Sequence, residues 1–162
     1  MLLATVIAAL LATAVPASAA APPEGRRATL DRVVDGDTLV LRDGTRVRLI
    51  GIDTPESVRP DFPVECYGPE ASRYTEHLLR PGDPLRLVFD VDRYDRYGRL
   101  LAYVYRAADD LFVNARIIAR GYAYVDTVPP NVAHAEQFRR LARTAREKGR
   151  GLWSKCENGG SG

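Results

Sequence analysis

The chain has no glycine-rich phosphate loop, no cysteine and histidine spacing of the kind that holds zinc, and no internal repeat. A P-loop nucleotide site, a zinc-organised fold and a repeat architecture are therefore set aside. It has two histidines, His77 and His134, far apart and without a cysteine neighbour at ligand spacing, and neither is assigned a role. Its one long apolar run, residues 2–14, is too short to span a bilayer. That run is followed by Pro16 and the small residues Ala17-Ser18-Ala19, and reads as a secretory signal peptide, residues 1–19, cut near Ala19 or at Ala21. No Lys or Arg precedes the run, which is atypical of such a signal: either the true start lies upstream of Met1 or the signal is a weak one, and a retained membrane anchor is the lesser alternative. The net charge of +2 identifies no partner by itself.

There are also only two cysteines, Cys66 and Cys156, the number a small secreted domain keeps for a single disulfide. Closing so long a loop stabilises a fold by roughly 4 kcal/mol in the chain-entropy account. With 162 residues, 46% of them hydrophobic and 27% charged, the chain suffices for one domain with a proper core. That domain is expected over residues 28–156, with a disordered Gly/Ser tail at 157–162.

What the chain does have is concentrated between Asp35 and Glu56, in DGDTLVLRDGTRVRLIGIDTPE. Asp35-Gly36 and Asp43-Gly44 are turn dipeptides, and the stretches around them, Thr29 to Val34, Thr38 to Leu41 and Thr45 to Ile52, are rich in β-branched and aliphatic residues. They predict a three-stranded antiparallel meander. Two registers are open. A two-residue turn sets Leu39 opposite Arg48 and Asp37 opposite Ile50, and then needs a bulge, at Gly51 for instance, to bring Asp53 round. A three-residue loop, Arg42-Asp43-Gly44, sets Asp37 opposite Leu49 on the face of Asp53, and Arg48 then needs the irregularity. In either case Asp37 and Asp53 gather at one end of the sheet with Arg48 nearby and Glu56 just beyond. Taken singly, these acids read as turn formers and a proline turn. Taken together, they suit a hard divalent cation such as calcium, with Arg48 suited to a phosphate.

Further along, Ser57 to Tyr67 reads as an exposed loop and a candidate lip for a long substrate. A helix is predicted from Pro69-Glu70 to Pro81, then strands over Leu85 to Val91 and Leu100 to Tyr105. Between those strands lies a loop, Asp92 to Arg99, dense in guanidinium groups for phosphate oxygens and phenol rings for bases. A short helix over Leu111 to Arg120, an extended piece over Tyr122 to Val125, and a helix over Val132 to Lys148 follow. The last helix carries Arg139, Arg140, Arg143, Arg146 and Lys148 on its outer face, a stripe that attracts polyanions or simply stays solvated. Five strands with an early meander and helices interleaved late predict an α+β, mainly β domain. Its expected form is a five-stranded OB-fold barrel with three helices.

The DGDT, RL-G-IDTPE, YGPEA and DRYGR elements, in this order, resemble the staphylococcal nuclease, or thermonuclease, family over about Thr29 to Trp153. The resemblance implies the same barrel. It also implies a secreted, calcium-dependent, sugar-nonspecific nuclease that hydrolyses DNA and RNA to 3′-phosphate products, with no stable protein partner and a monomeric state expected. At matching positions, Asp37, Asp53 and the carbonyl of Thr54 are the implied calcium ligands. Arg48 and Arg99 are the implied phosphate-binding arginines, Glu56 the residue that orients or deprotonates the attacking water, and Arg96 and Tyr97 the contacts to the terminal phosphate. One departure is evident. The family's tyrosine pair before the Pro-Asn that leads into the last helix is replaced here by Asp126-Thr127-Val128-Pro129-Pro130-Asn131, with tyrosines earlier at Tyr122 and Tyr124. Base stacking at that wall is therefore not expected, and substrate affinity or base preference is expected to differ. The rival reading is a non-catalytic nucleic-acid-binding module of the same fold, and the presence of all of Asp37, Arg48, Asp53, Glu56 and Arg99 argues against it.

Overall fold

Strand-forming residues follow one another from residue 26 onward, and they build a barrel around a continuous aliphatic interior. The computed structural model describes residues 25–57 and 63–156; the expected signal peptide, the tail at 157–162 and part of the 57–67 loop lie outside the described residues. Strands β1 (Arg26–Asp35), β2 (Thr38–Leu41) and β3 (Arg46–Leu49) form the predicted meander. β1 is longer than the pattern indicated. Its first half pairs with β5 (Pro84–Val88) and its second with β2, and register shifts at Leu30/Arg32 and Val33/Asp35 bend it between the two partners.

Of the two registers, the three-residue loop is the one formed. Thr38 stands opposite Arg48 and Leu39 opposite Val47, Gly44 is left-handed at φ 83°, and the Leu49 amide donates to the Asp37 carbonyl at 2.9 Å. The single strand expected over Thr45 to Ile52 is instead broken at Ile50. Gly51 takes φ 79°, where a Cβ would stand 2.6 Å from the Phe138 ring, so both the backbone and the available space require glycine. Beyond the break, β4 (Gly51–Asp53) leaves the barrel to pair with β8 (Tyr124–Asp126).

Helix α1 (Gly68–Leu78) precedes β5, and β6 (Leu100–Arg106) pairs antiparallel with β5 and parallel with β3, from Val47↔Leu100 to Leu49↔Ala102. That last pairing closes a five-stranded barrel in the order β3-β2-β1-β5-β6. The expected helix over Leu111 to Arg120 begins two residues late. Leu111 and Phe112 pair with Tyr105 and Arg106 as β7 before α2 (Val113–Ala119) starts. Helix α3 (Ala135–Glu147) and the one-turn α4 (Leu152–Lys155) complete the chain.

Leu30, Leu39, Leu49, Leu85, Leu87, Leu100 and Val104 fill the interior, with Ile117 of α2 and Phe138 of α3 packed against them. Each such fully buried side chain contributes about 1.5–3 kcal/mol. Three polar ties then position the surface features. Asn114 accepts from the Val104 amide and donates to the Ile50 carbonyl, both at 2.9 Å, holding β6 against the strand break. Thr75 on α1 donates to the Gly36 carbonyl at 2.7 Å, fixing the turn between Asp35 and Asp37. Asn131 accepts from the amide and donates to the carbonyl of Asp92, at 2.8 and 2.9 Å, anchoring the start of the arginine-rich loop. Cys66 and Cys156 form the expected disulfide, across a separation of 90 residues.

Candidate active site

The β1–β2 turn, the end of β3, the end of β4 and the Arg99 end of the 92–99 loop meet at one rim of the barrel. They enclose a cavity of about 200 Å³ lined by Asp35, Asp37, Thr38, Arg48, Asp53, Thr54, Pro55, Glu56, Glu65 and Arg99. All six residues expected to act on the metal and the reacting phosphate are therefore in one place. Arg96 and Tyr97 line an adjoining cavity of about 530 Å³, which shares Arg48 and Arg99 with the first.

Asp37 is the anchor. It is buried, one carboxylate oxygen accepting from the Thr54 amide at 2.8 Å and the Thr54 hydroxyl at 2.9 Å, the other from the Thr38 hydroxyl at 3.1 Å. Thr54 is thereby fixed at its side chain and its backbone. Arg48 ion-pairs with Asp37 through one nitrogen and reaches Asp53 with the other at 2.8 Å, so one planar guanidinium bridges the two carboxylates that the sequence put at this end. Asp53 is 60% exposed and keeps its outer face toward solvent. Gly36 is packed so closely on Thr54 that a Cβ would come within 2.7 Å of it, which keeps the Asp35–Asp37 turn tight against the β4 end.

Glu56 is held through its backbone. Its amide donates to the Glu65 carboxylate at 3.0 Å, its carbonyl accepts from the Glu65 amide at 2.9 Å, and its own carboxylate accepts from the Ser57 amide at 2.9 Å. A Cβ on Gly68 would collide with that same Glu56 carbonyl, so α1 begins at the one residue type that lets it approach. The disulfide at Cys66 lies next to Glu65 and ties this loop base to the C-terminal segment.

Arg99 is aimed by Asp95. The Asp95 carboxylate accepts from Arg99 Nε at 2.6 Å, from the Arg99 amide at 3.0 Å and from the Tyr97 amide at 2.9 Å. Burial works to raise the Asp95 carboxyl, but these hydrogen bonds and the arginine charge outweigh it and hold the group below the usual carboxylate range. Asp35 moves the other way. Burial pushes it up, against hydrogen bonding from Thr38 and the charge of Arg48, and Glu56 adds to the rise.

Asp35, Glu65 and Asp95 were not among the residues singled out as site residues. Asp95 had a signal: Asp at the first and Gly at the fourth position of Asp95-Arg96-Tyr97-Gly98 mark a type I turn, and the Gly98 amide donates to the Asp95 carbonyl at 3.0 Å. The segment that leads into the last helix lines the larger cavity with Val128, Pro129, Pro130 and Asn131. Tyr122 is stacked on Tyr74 and Tyr67, with centroids at 4.0 and 5.3 Å, and Tyr124 stands edge-on to Trp153, so both serve packing.

The small cavity thus joins five carboxylic acids to two arginines at the mouth of an OB-type barrel, with a larger concavity alongside that shares both arginines. This is the arrangement of a polyanion-handling site that has carboxylates in excess. Among the described residues no group of three or more His, Cys, Asp or Glu side chains forms a pre-built metal cage. The profile of the family described as "Staphylococcal nuclease homologue" matches residues 46–155. The chain is 38% identical over 134 residues to "Thermonuclease" of Staphylococcus intermedius, covering 81% of this chain and 78% of that one. It is 37% identical over 126 residues to "Thermonuclease" of Staphylococcus hyicus, covering 76% and 73%. It is 42% identical over 132 residues to "Endonuclease YncB" of Bacillus subtilis strain 168, covering 78% and 61%. The chain belongs to the staphylococcal nuclease family.

Proposed function

We propose that the chain is a secreted, calcium-dependent nuclease that hydrolyses phosphodiester bonds in DNA and RNA and leaves 3′-phosphates. The observation that carries this reading is the single cavity in which Glu56, Arg48 and Arg99 face the Asp37–Asp53 pair. The names of the relatives, thermonuclease and endonuclease, support it. Its disulfide fits an oxidising, extracellular setting.

The donor set fits calcium. Asp35, Asp37, Asp53, Glu56 and Glu65 outnumber Arg48 and Arg99 in the cavity, all the donors are hard oxygens, and the charge excess is negative. Asp37, Asp53 and the Thr54 carbonyl would hold the ion, with waters and a substrate phosphate filling the loose coordination calcium accepts. Bound there, calcium supplies charge neutralisation at a phosphate oxygen.

The chain's own residues do the rest. Arg48 and Arg99 bind the remaining phosphate oxygens, which carry more charge in the pentacovalent transition state than in the ground state, so their contribution falls on the rate. Asp95 keeps Arg99 oriented. Glu56 accepts a proton from, or orients, the water whose oxygen bonds to phosphorus. The P–O5′ bond breaks, the leaving oxygen takes a proton to become a 5′-hydroxyl, and the phosphate stays on the 3′ side. Glu56→Gln is expected to lower kcat on single-stranded DNA roughly 10²- to 10⁴-fold. Its Tm should stay near that of the unaltered chain, since the Glu65 bonds are to the Glu56 backbone. Near-full activity in that variant would remove Glu56 from the mechanism.

A further inference from the structure

The larger cavity, about 530 Å³, is of the size that takes a small-molecule-sized group, and apart from the phosphate-binding arginines and Tyr97 its lining has no part in the phosphate chemistry. Three large side chains that line it are mostly exposed: Tyr94 at 63%, Tyr97 at 64% and Val128 at 60%. Exposed apolar groups gathered on one concavity mark a binding surface.

The two tyrosines are not equivalent. The ring of Tyr97 already carries the guanidinium groups of Arg96 and Arg99, at 4.8 and 5.5 Å from its centroid, and its hydroxyl accepts from Arg96 at 2.6 Å. Tyr94 has no side-chain hydrogen bond, ring contact or cation contact among the described residues. Its backbone is nevertheless fixed. Tyr94 bridges Leu100, the neighbouring Arg93 carbonyl accepts from the Leu101 amide at 2.8 Å, and Asp92 is clamped at both backbone groups by Asn131. An ordered backbone therefore presents a ring that folding itself does not use. Across the cavity Val128, Pro129 and Pro130 supply apolar surface, while Tyr122 and Tyr124 are committed to packing.

The geometry points to Tyr94 as the stacking platform for the nucleobase attached to the phosphate that Arg48 and Arg99 hold. The two cavities adjoin and share those arginines in their linings, so a nucleoside whose phosphate the arginines hold in one lies beside the other. The inference rests on the nuclease reading and adds to it a substrate-binding residue for an unpaired base of any identity, since every base has a π-face.

The test is steady-state cleavage of short single-stranded oligonucleotides with calcium by the full chain, Tyr94→Ala and Tyr94→Phe. A parallel set of substrates has one nucleoside beside the scissile phosphate replaced by an abasic analogue, on either side in turn. Loss of a stacked base raises KM roughly 5- to 150-fold in Tyr94→Ala. It does so at unchanged kcat, because uniform binding is lost. Tyr94→Phe, which keeps the ring, restores KM. On the one abasic substrate that lacks the stacked base, Tyr94→Ala and the unaltered chain become equal. Equal KM values on intact substrate, or an equal loss on intact and every abasic substrate, overturn the assignment while leaving the nuclease reading in place. Failure of the unaltered chain to cleave at all overturns that reading, and this one with it.

Discussion

Arg99→Ala is expected to lower kcat on single-stranded DNA by roughly 10³- to 10⁵-fold, the range found for an arginine that stabilises charge in phosphoryl transfer. Stability should hardly move. Arg99 is partly exposed and pairs with Asp95 near the surface, where such a pair contributes about 0–1 kcal/mol. Asp95 also keeps the amides of Tyr97 and Arg99 as donors once the side chain is gone. The Tm change should therefore stay within about 4 °C. Paired kcat and Tm measurements check both halves. A fall in kcat of tenfold or less would remove Arg99 from transition-state binding, and a large fall in Tm would make it a structural residue.

Arg48→Ala is expected to lose activity on the same scale and stability as well. Arg48 is the counter-charge of the buried Asp37 and bridges it to Asp53. Removing one partner of a buried pair costs roughly 3–5 kcal/mol, because the remaining charge stays desolvated. Asp37 keeps its bonds from Thr38 and Thr54, so about 3 kcal/mol is expected, a Tm loss on the order of 10 °C. Lysine should be a poor substitute, since one ammonium cannot fork two carboxylates as a guanidinium does. Because the cavity has carboxylates in excess, calcium should raise the Tm of Arg48→Ala more than that of the unaltered chain. A variant as stable as its parent, with calcium indifferent, would mean that the Asp37–Arg48–Asp53 bridge does not hold this rim together.

The contrast between the two arginines was not legible in the sequence. Both stood in recognisable motifs, and turn chemistry at Asp43-Gly44 and Gly98 placed their loops, since left-handed glycine is a local signal. The hairpin around Asp43-Gly44 could be narrowed to two registers but not chosen between. The register formed goes with a left-handed Gly44 and with the pairing of β3 on β6, about fifty residues on, which the local pattern does not encode. The break at Ile50–Gly51 likewise follows from Phe138 in α3 and Asn114 in α2, which no local pattern around Gly51 encodes. The short strands β4, β7 and β8 were missed or misplaced for the same reason: two or three residues carry no period, and only their partners define them. Asp35 and Glu65 escaped notice because one reads as a turn former and the other as an ordinary loop acid. Their presence in the cavity comes from the packing of α1 against the turn and from the paired bonds between Glu56 and Glu65. The Tyr67–Tyr122–Tyr74 stack belongs to this class too, joining three rings from separate parts of the chain.

The central claim, that this cavity hydrolyses a phosphodiester with calcium, is tested most directly by one assay. Single-stranded DNA is incubated with the purified chain in calcium, in magnesium and in chelator, and the end groups of the products are identified. Cleavage with calcium, none with chelator, and fragments ending in 3′-phosphate and beginning with 5′-hydroxyl are the predicted result. Tight binding with no cleavage under any metal would contradict the account and make the chain a nucleic-acid-binding module on a nuclease scaffold.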